Sequence, residues 1–335
     1  MRTLLVANPG GHLEELWSLQ SRLNTSRDTR TWVTWDSPHS RALLKDEDCH
    51  FVDRARPRDV LAALRNARSA QRIMGGGRWS RVISTGSVMA VPFFVVARAN
   101  GIACHYIESA ARVAGPSLTG RLLEWVPGVH RYAQHKSWAD RRTWSYAGSV
   151  FDAFIPSPSN TPARSPQAVE RVVVTLGSNS FDFRRLVEGI LDVLPPGADV
   201  LWQTGATDVT GLGIQSCEAL PADDLAAAMR KADLVIAHAG VGSALTALRS
   251  GHAPLLVPRR RHRGEHVDDH QVEIARHLVS RGIAVACDAD MLNADIIAVA
   301  ASMSVHPMIA PMVLLNDEPP RAVTHLVRRA HHGSP

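Results

Sequence analysis

A chain of 335 residues with 45% hydrophobic and 21% charged residues can bury two cores of ordinary size, which excludes a disordered or peptide-like class. Its four cysteines, Cys49, Cys104, Cys217 and Cys287, stand singly with no CxxC pair, which argues against a disulfide framework or zinc knuckle and suits a reducing cytosol. The net charge of +5 hides an asymmetry: residues 1–150 carry 21 Lys+Arg against 12 Asp+Glu and seven of the eight tryptophans, residues 151–335 only 16 against 20. A basic, Trp-rich half suits an anionic partner, a membrane surface or nucleic acid; a solvated basic face over core tryptophans is the competing reading.

The first apolar run is too short for a signal-peptide core and ends in a glycine turn, so it predicts a strand over residues 3–7. Asn8-Pro-Gly-Gly-His12 follows, then a helix over 13–23 with Leu16, Leu19 and Leu23 at helical spacing. Gly10 and Gly11 permit close approach of a ligand. His12, titrating near neutrality, is either a proton acceptor or a residue packed at a helix start. Strands are expected over 30–34, 81–84 and 103–107, with a helix over 59–74. The second and third of these strands end in Ser84-Thr-Gly-Ser87, where Gly86 and Ser87 offer backbone donors, and in Glu108, a cleft-edge carboxylate or an exposed loop acid. Arg112 reads as a phosphate fork or a surface charge. The most apolar stretch, 88–99, falls short of the about 20 residues that span a bilayer, so no membrane crossing is expected.

Prolines interleaved with Ser, Thr and Asn over 154–168 predict a linker between a domain at 1–153 and another at 169–316. The pattern then restarts with a strand over 171–176, a Gly177-Ser178-Asn179 turn and a helix from about 181. Strands over 200–203, 233–237 and 254–257 follow, with helices from 242 and from about 268, and an amphipathic helix over 318–329 in the tail 317–335. Strands alternating with helices predict an α/β chain of two Rossmann-like, doubly wound parallel-sheet domains facing a cleft.

The sharpest site is Asp233-Leu-Val-Ile-Ala-His-Ala-Gly-Val-Gly-Ser243, a buried strand emptying into a small-residue turn that opens a helix. Gly240 and Gly242 allow close backbone approach, and the helix start offers free N–H groups to a diphosphate, with His238 and Ser243 as side-chain donors. A plain strand-to-helix turn is the bland alternative. Neither a dinucleotide fingerprint nor a Walker A loop is present. Downstream, His262, His266 and His270 share one face if helical, but Glu265 precedes His266 and the HExxH order is missing, so no metal is expected. The arginines at 259–261 and 263 follow a strand at the cleft edge and face either solvent or donor phosphates; Asp269 and Gln271 are suited to sugar hydroxyls.

Three linked runs, VVVTLGSNSFDFRRLV, HAGVGSALTALRSGHAPLLVPRR and HVDDHQVEIARHL, resemble the catalytic subunit of the eukaryotic dolichol-linked N-acetylglucosaminyltransferase and the donor domain of the bacterial lipid II-forming family. The GGH loop, IESAARV and SLTGRLL resemble its membrane-recruiting partner subunit, and the paired bacterial exopolysaccharide transferases are similar to the two halves as separate chains. The resemblance implies a GT-B fold with a UDP-sugar on the C-terminal half. It places His238, Gly240, Gly242 and Ser243 at the diphosphate, and Gln203, Thr204 and Gly205 beside the nucleoside. It also places Asp269 and Gln271 at the sugar, with Gly177, Ser178, Asn179, Leu220, Ala239, Arg259 and His270 lining the same donor site. Arg261-His-Arg-Gly264 is a longer basic insertion than that pattern carries.

The expectation is an inverting, metal-free glycosyltransferase with no cofactor beyond its UDP-sugar substrate. His12 or Glu108 is the base, and Gly10, Gly11, Gly86, Ser87 and Arg112 meet a polyprenyl-diphosphate-linked or other glycolipid acceptor. The protein would sit peripherally on an anionic membrane, at the cytoplasmic face. A UDP-sugar epimerase and a non-catalytic membrane-recruiting scaffold stand as rivals; a nucleic-acid partner is not expected, since no recognition-helix motif stands out.

Overall fold

The computed structural model describes residues 2–54, 60–139, 143–157, 168–177, 180–308, 312 and 314. In the first half, β1 (Arg2–Val6), β2 (Arg30–Trp35), β3 (Cys49–Val52), β4 (Trp79–Ser84), β5 (Ala103–Ile107), β6 (Val129–Ala133) and β7 (Ser145–Tyr146) form one parallel sheet. Its helices are α1 (Gly11–Leu19), α2 (Pro38–Leu43), α3 (Val60–Gly75), α4 (Ala90–Ala99), α5 (Leu118–Leu123) and α6 (Lys136–Ala139). After β8 (Phe154–Pro156), the second sheet holds β9 (Arg171–Thr175), β10 (Asp199–Gln203), β11 (Ser216–Cys217), β12 (Leu234–His238), β13 (Leu255–Val257) and β14 (Val285–Ala286). Around it lie α7 (Arg184–Val193), α8 (Ala222–Lys231), α9 (Val241–Arg249), α10 (His270–Ser280) and α11 (Ala294–Ser302), and β15 (Val305–Pro307) follows.

The strand orders, β3-β2-β1-β4-β5-β6-β7 and β11-β10-β9-β12-β13-β14, each start from a central strand, run outward one way, then jump back and run the other. Each sheet therefore has one switch point, between β1 and β4 and between β9 and β12. There the loops at the strand carboxyl ends diverge and leave a crevice. The central strands, Leu-Leu-Val in β1, Val-Val-Val in β9 and Leu-Val-Ile-Ala in β12, are buried throughout because helices cover both faces.

Three features depart from the sequence reading, and the tryptophans follow one of its two alternatives. The expected linker does not start at 154: Phe154 is 5% exposed and β8 pairs antiparallel with β15, so these residues belong to the folded core. Residues 158–167 of that linker and the expected helix over 318–329 lie outside the described residues. The helix expected over 13–23 ends at Leu19 and tightens into a 3₁₀ turn at Gln20–Arg22. Most tryptophans are core: Trp32, Trp138 and Trp144 are buried and Trp17, Trp35 and Trp79 partly so, while Trp125 alone is exposed, at 86%. Finally, the halves do not have wholly separate cores. Leu13 and Leu16 of α1 and Val241, Ala244, Leu245 and Leu248 of α9 belong to one apolar cluster that crosses the seam.

Candidate functional site

At the N-terminal switch point, Gly10 turns the chain with φ 91° and α1 begins at once, setting His12 in its first turn. The His12 Nδ1 lies 2.9 Å from the Thr85 carbonyl oxygen, just past β4. A carbonyl only accepts, so Nδ1 carries the proton and Nε2 keeps the lone pair. Thr85 Oγ1 donates back to the His12 carbonyl at 2.7 Å. Gly86 is required here: its φ is 124° and a Cβ would stand 2.9 Å from His12 Cε1. Ser87, with φ 82°, holds a backbone conformation rare for a non-glycine residue. Burial lowers the His12 pKa below its ordinary value; the Thr85 contact opposes that and the Arg112 charge adds to it. The ring is neutral near pH 7 and bears a basic nitrogen.

Glu108 ends β5 but is fully enclosed. Tyr106 Oη and the Ser109 N–H donate to one oxygen, the Ser117 N–H and Oγ to the other. Burial raises its pKa against those four donors. It pins the 109–117 loop, leaving its oxygens engaged, and does not open on the cleft. Arg112, on that loop, reaches across the seam to within 3.6 Å of Asp268.

The C-terminal switch point repeats the pattern. The His238 Nδ1 approaches the Thr175 carbonyl at 3.4 Å. Its ring is wedged between Gly177 (φ 73°) and Gly240, and a Cβ on either would collide with the imidazole. Burial and then the Arg259 charge depress the His238 pKa to about 3, so it is neutral. Ala239 is buried, Gly240 precedes α9, and the first N–H groups of α9, at Val241, Gly242 and Ser243, have no intrahelical acceptor by helix geometry. A Cβ on Gly242 would lie 3.8 Å from the Gly11 Cα. The small-residue starts of α1 and α9 thus meet, and His12 sits beside the N–H groups that open α9.

Other expected donor contacts fall elsewhere. Arg259 is fully buried: it donates to the carbonyls of Leu176, Phe181 and Asp182 with its guanidinium 4.7 Å from the Phe183 ring centroid, so it braces the loop after β9 and does not face a ligand. Arg260 pairs with Asp288 and Arg263 with Asp290, leaving Arg261, like the carbonyl-bound Arg259, without an ion pair among the described residues. Gln203 spends its amide on Thr175, Gly177 and Glu218, and Thr204 and Gly205 bond to the backbone of β11 and Glu218. Gln271 accepts from the Arg259 N–H, while exposed Asp269 accepts from the Arg261 N–H. Leu220 is half-buried before α8; Ser178 and Asn179 lie outside the described residues.

The three histidines do not share a helix face, because residues 261–263 form a 3₁₀ turn and α10 starts only at His270. His266 and His270 instead converge through Nδ1 on one oxygen of Asp268. These are the one group among the described residues able to offer three metal ligands, all within 4.8 Å. The carboxylate is already shared by two imidazoles, and its other oxygen faces the Arg112 cation. In the sequence Asp268 is masked by its neighbour Asp269, which matches the motif. Nothing in the sequence singles out Glu14 or Glu15 either. Glu15 is fully buried, accepts from the Ala110 N–H at 2.6 Å, and has its pKa raised by burial to about 8.

Residues 171–303 match the model of the glycosyltransferase family 28 C-terminal domain. The UDP-N-acetylglucosamine transferase subunit ALG13 of Yarrowia lipolytica is 46% identical over 72 residues, 21% of this chain and 35% of that protein. The UDP-N-acetylglucosamine--N-acetylmuramyl-(pentapeptide) pyrophosphoryl-undecaprenol N-acetylglucosamine transferase of Nitratidesulfovibrio vulgaris is 36% identical over 133 residues, 36% of this chain and 34% of that one. The matches thus span about a third of each curated relative. Over nearly its whole length the chain superposes on crystal structures of Acinetobacter baumannii MurG (TM-score 0.55, 20% identity, 89% of both chains) and of the glycotransferase of kitacinnamycin (TM-score 0.57, 17% identity, 90% and 89%). The fold is GT-B, and the sequence similarity to family 28 is confined to residues 171–303 of the C-terminal half.

Proposed function

We propose that the protein is an inverting, metal-independent glycosyltransferase that moves a sugar from UDP to a polyprenyl-diphosphate-linked or other glycolipid acceptor. The observation that carries this reading is the meeting of the two switch points: a neutral His12 with a free Nε2 beside the amide-rich start of α9. The UDP diphosphate binds the N–H groups at 241–243. An acceptor hydroxyl gives its proton to His12 Nε2, its oxygen bonds to the anomeric carbon, and the bond to the diphosphate breaks with inversion. The α9 dipole and N–H groups stabilise the charge gained by UDP, a role that a divalent cation fills in other transferases. Glu108 is the weaker candidate for the base, because all its oxygens are already engaged. N-acetylglucosamine is the first donor sugar to try, since both curated relatives are named for it.

A peripheral seat on an anionic membrane belongs to the same reading. No helix among the described residues is long and apolar enough to cross a bilayer. Leu61 and Leu64 on α3, Val95 on α4, and Leu118, Leu122 and Trp125 on and just after α5 are all exposed, and α3, α4 and α5 pack on one face of the first sheet. Exposed Arg68, Arg72 and Arg121 accompany them, the mixture that favours an interfacial seat. Incubating the protein with a panel of UDP-sugars and membrane lipid extract tests the whole reading. A new glycolipid that needs both components is expected. UDP-sugar consumption without extract would favour an epimerase, and absence of UDP binding a scaffold.

A further inference from the structure

A cavity of about 770 Å³ opens in the seam between the halves, within the range of roughly 300–1,000 Å³ usual for small-molecule sites. Val113, Ala114, Lys136 and Tyr146 wall it from the N-terminal half, Glu273 and Arg276 of α10 from the other. Its place relative to the reacting centre is fixed by the chain. Val113 follows Arg112, which faces Asp268. Glu273 lies three residues beyond His270, less than one turn of α10, or about 5 Å. The cavity therefore continues the cleft from the Arg112–Asp268 contact along α10, away from the donor loops. Ala114 is four residues before exposed Leu118, no more than about 15 Å of chain, so the cavity also lies close to the apolar face of α5.

The lining chemistry selects the occupant. The Lys136 ammonium stands 5.2 Å from the Tyr146 ring centroid. Among the described residues, Lys136, Arg276 and Glu273 have no ion-pair partner, whereas Arg281 and Asp152 neutralise each other at 2.5 Å. The charged groups without a counter-charge are thus two cationic donors on opposite walls and one carboxylate acceptor, beside an aromatic ring. A bare diphosphate would meet the Glu273 charge, and a hydrocarbon tail would lie against the half-buried Glu273 carboxylate, which has no cation of its own among the described residues. A sugar satisfies all of them: its hydroxyls donate to the carboxylate and accept from the cations, and its C–H face lies on the ring.

We infer that this cavity is the acceptor-saccharide subsite, holding a second sugar unit behind the one whose hydroxyl meets His12. The acceptor is then a glycolipid of at least two sugars. This rests on the transferase reading above and adds the class of acceptor to it. The test uses the full-length protein, membrane lipid extract as acceptor and UDP-N-acetylglucosamine as donor, with Lys136→Ala, Arg276→Ala and Glu273→Gln. The apparent KM for extract should rise at least tenfold in the variants, while the donor KM and UDP affinity by calorimetry stay within twofold, which also certifies the fold. Mild acid release of the accepting lipid should yield two or more sugars. An unchanged extract KM in all three variants, or a single-sugar lipid accepted as efficiently, overturns the assignment while leaving the transferase reading intact. A wild-type protein that transfers nothing to the extract from any of a panel of UDP-sugars overturns both.

Discussion

Arg249, in the last turn of α9, places its Nη2 2.5 Å from Glu14 Oε2 in α1, so α9, whose start meets the start of α1, is clasped at its other end to the helix carrying His12. The His39 Nε2–H donates to the other Glu14 oxygen at 3.0 Å, and His39 Nδ1 accepts the Gly10 N–H at 3.2 Å. The clasp is thus connected by two hydrogen bonds to the loop that sets His12. Burial opposes the Glu14 charge, but the His39 and Arg249 donors outweigh it and the carboxyl ionises below its usual range. That stabilisation is present above pH 4.5 and is lost as pH falls through the folded value.

Breaking this clasp should loosen the seam. Glu14→Gln and Arg249→Gln are each expected to cost about 1–3 kcal/mol, since one side chain is largely buried and the other a third exposed. Urea melts of both single variants and the double variant would measure the coupling. Strict additivity of the two losses would show that the pair does not act as a unit.

His12→Ala should lower turnover by about 10²–10⁴-fold with UDP affinity unchanged, as loss of a general base predicts. Because the folded pKa lies below the ordinary 6.5, the acid limb of the pH–rate profile should also fall below 6.5. Equal losses in turnover and donor binding would instead mark His12 as a ligand contact.

Gly177→Ala and Gly240→Ala each drive a methyl group into the His238 ring. Gly177 also sits at φ 73°, so its substitution adds backbone strain. Calorimetry with UDP should show at least tenfold weaker binding for either variant, with circular dichroism unchanged. Wild-type affinity in both would remove His238 and its glycine slot from the donor site.

Glu15 supplies a pH signature in stability. The folded protein keeps the Glu15 proton up to about pH 8, whereas the unfolded chain releases it near 4.5, so the folded state binds more protons in between and this contribution to stability declines as pH rises. Glu15→Gln keeps an acceptor for the Ala110 N–H and removes the ionisation. Its advantage over wild type should grow from pH 5 to pH 8, reaching at least about 1 kcal/mol. A pH-independent difference would contradict the account.

A chelator should leave transfer undiminished if the α9 start alone steadies the departing diphosphate. Dialysis against EDTA followed by the glycolipid assay decides it. Activity lost on dialysis and restored by zinc would turn His266, Asp268 and His270 into a metal site.

Much of the fold was legible because its signals are local. Unbroken apolar runs at 172–174 and 234–237 mark strands covered on both faces, and the small residues after them mark the loops at the switch point. His12 and Gly86 were both readable as loop residues, but the bond that joins their loops spans 73 positions and leaves no periodic trace. The same limit explains the arginines. Arg259 looks like Arg261 in a one-dimensional pattern, yet one is sealed under Phe183 and the other lies in water. Asp268 and Asp269 differ by a single step, and only the turn into α10 decides which of them points at the opposite half.

The pairing of β8 with β15 has a mechanical consequence. The chain crosses between the halves at β8 and comes back alongside it at β15, with Arg281 and Asp152 bonded close by. Two strands bridged by hydrogen bonds resist torsion far more than a single tether does. Any swing of one half against the other would turn about that ribbon, like a door on its post, and would have to part the Glu14–Arg249 pair.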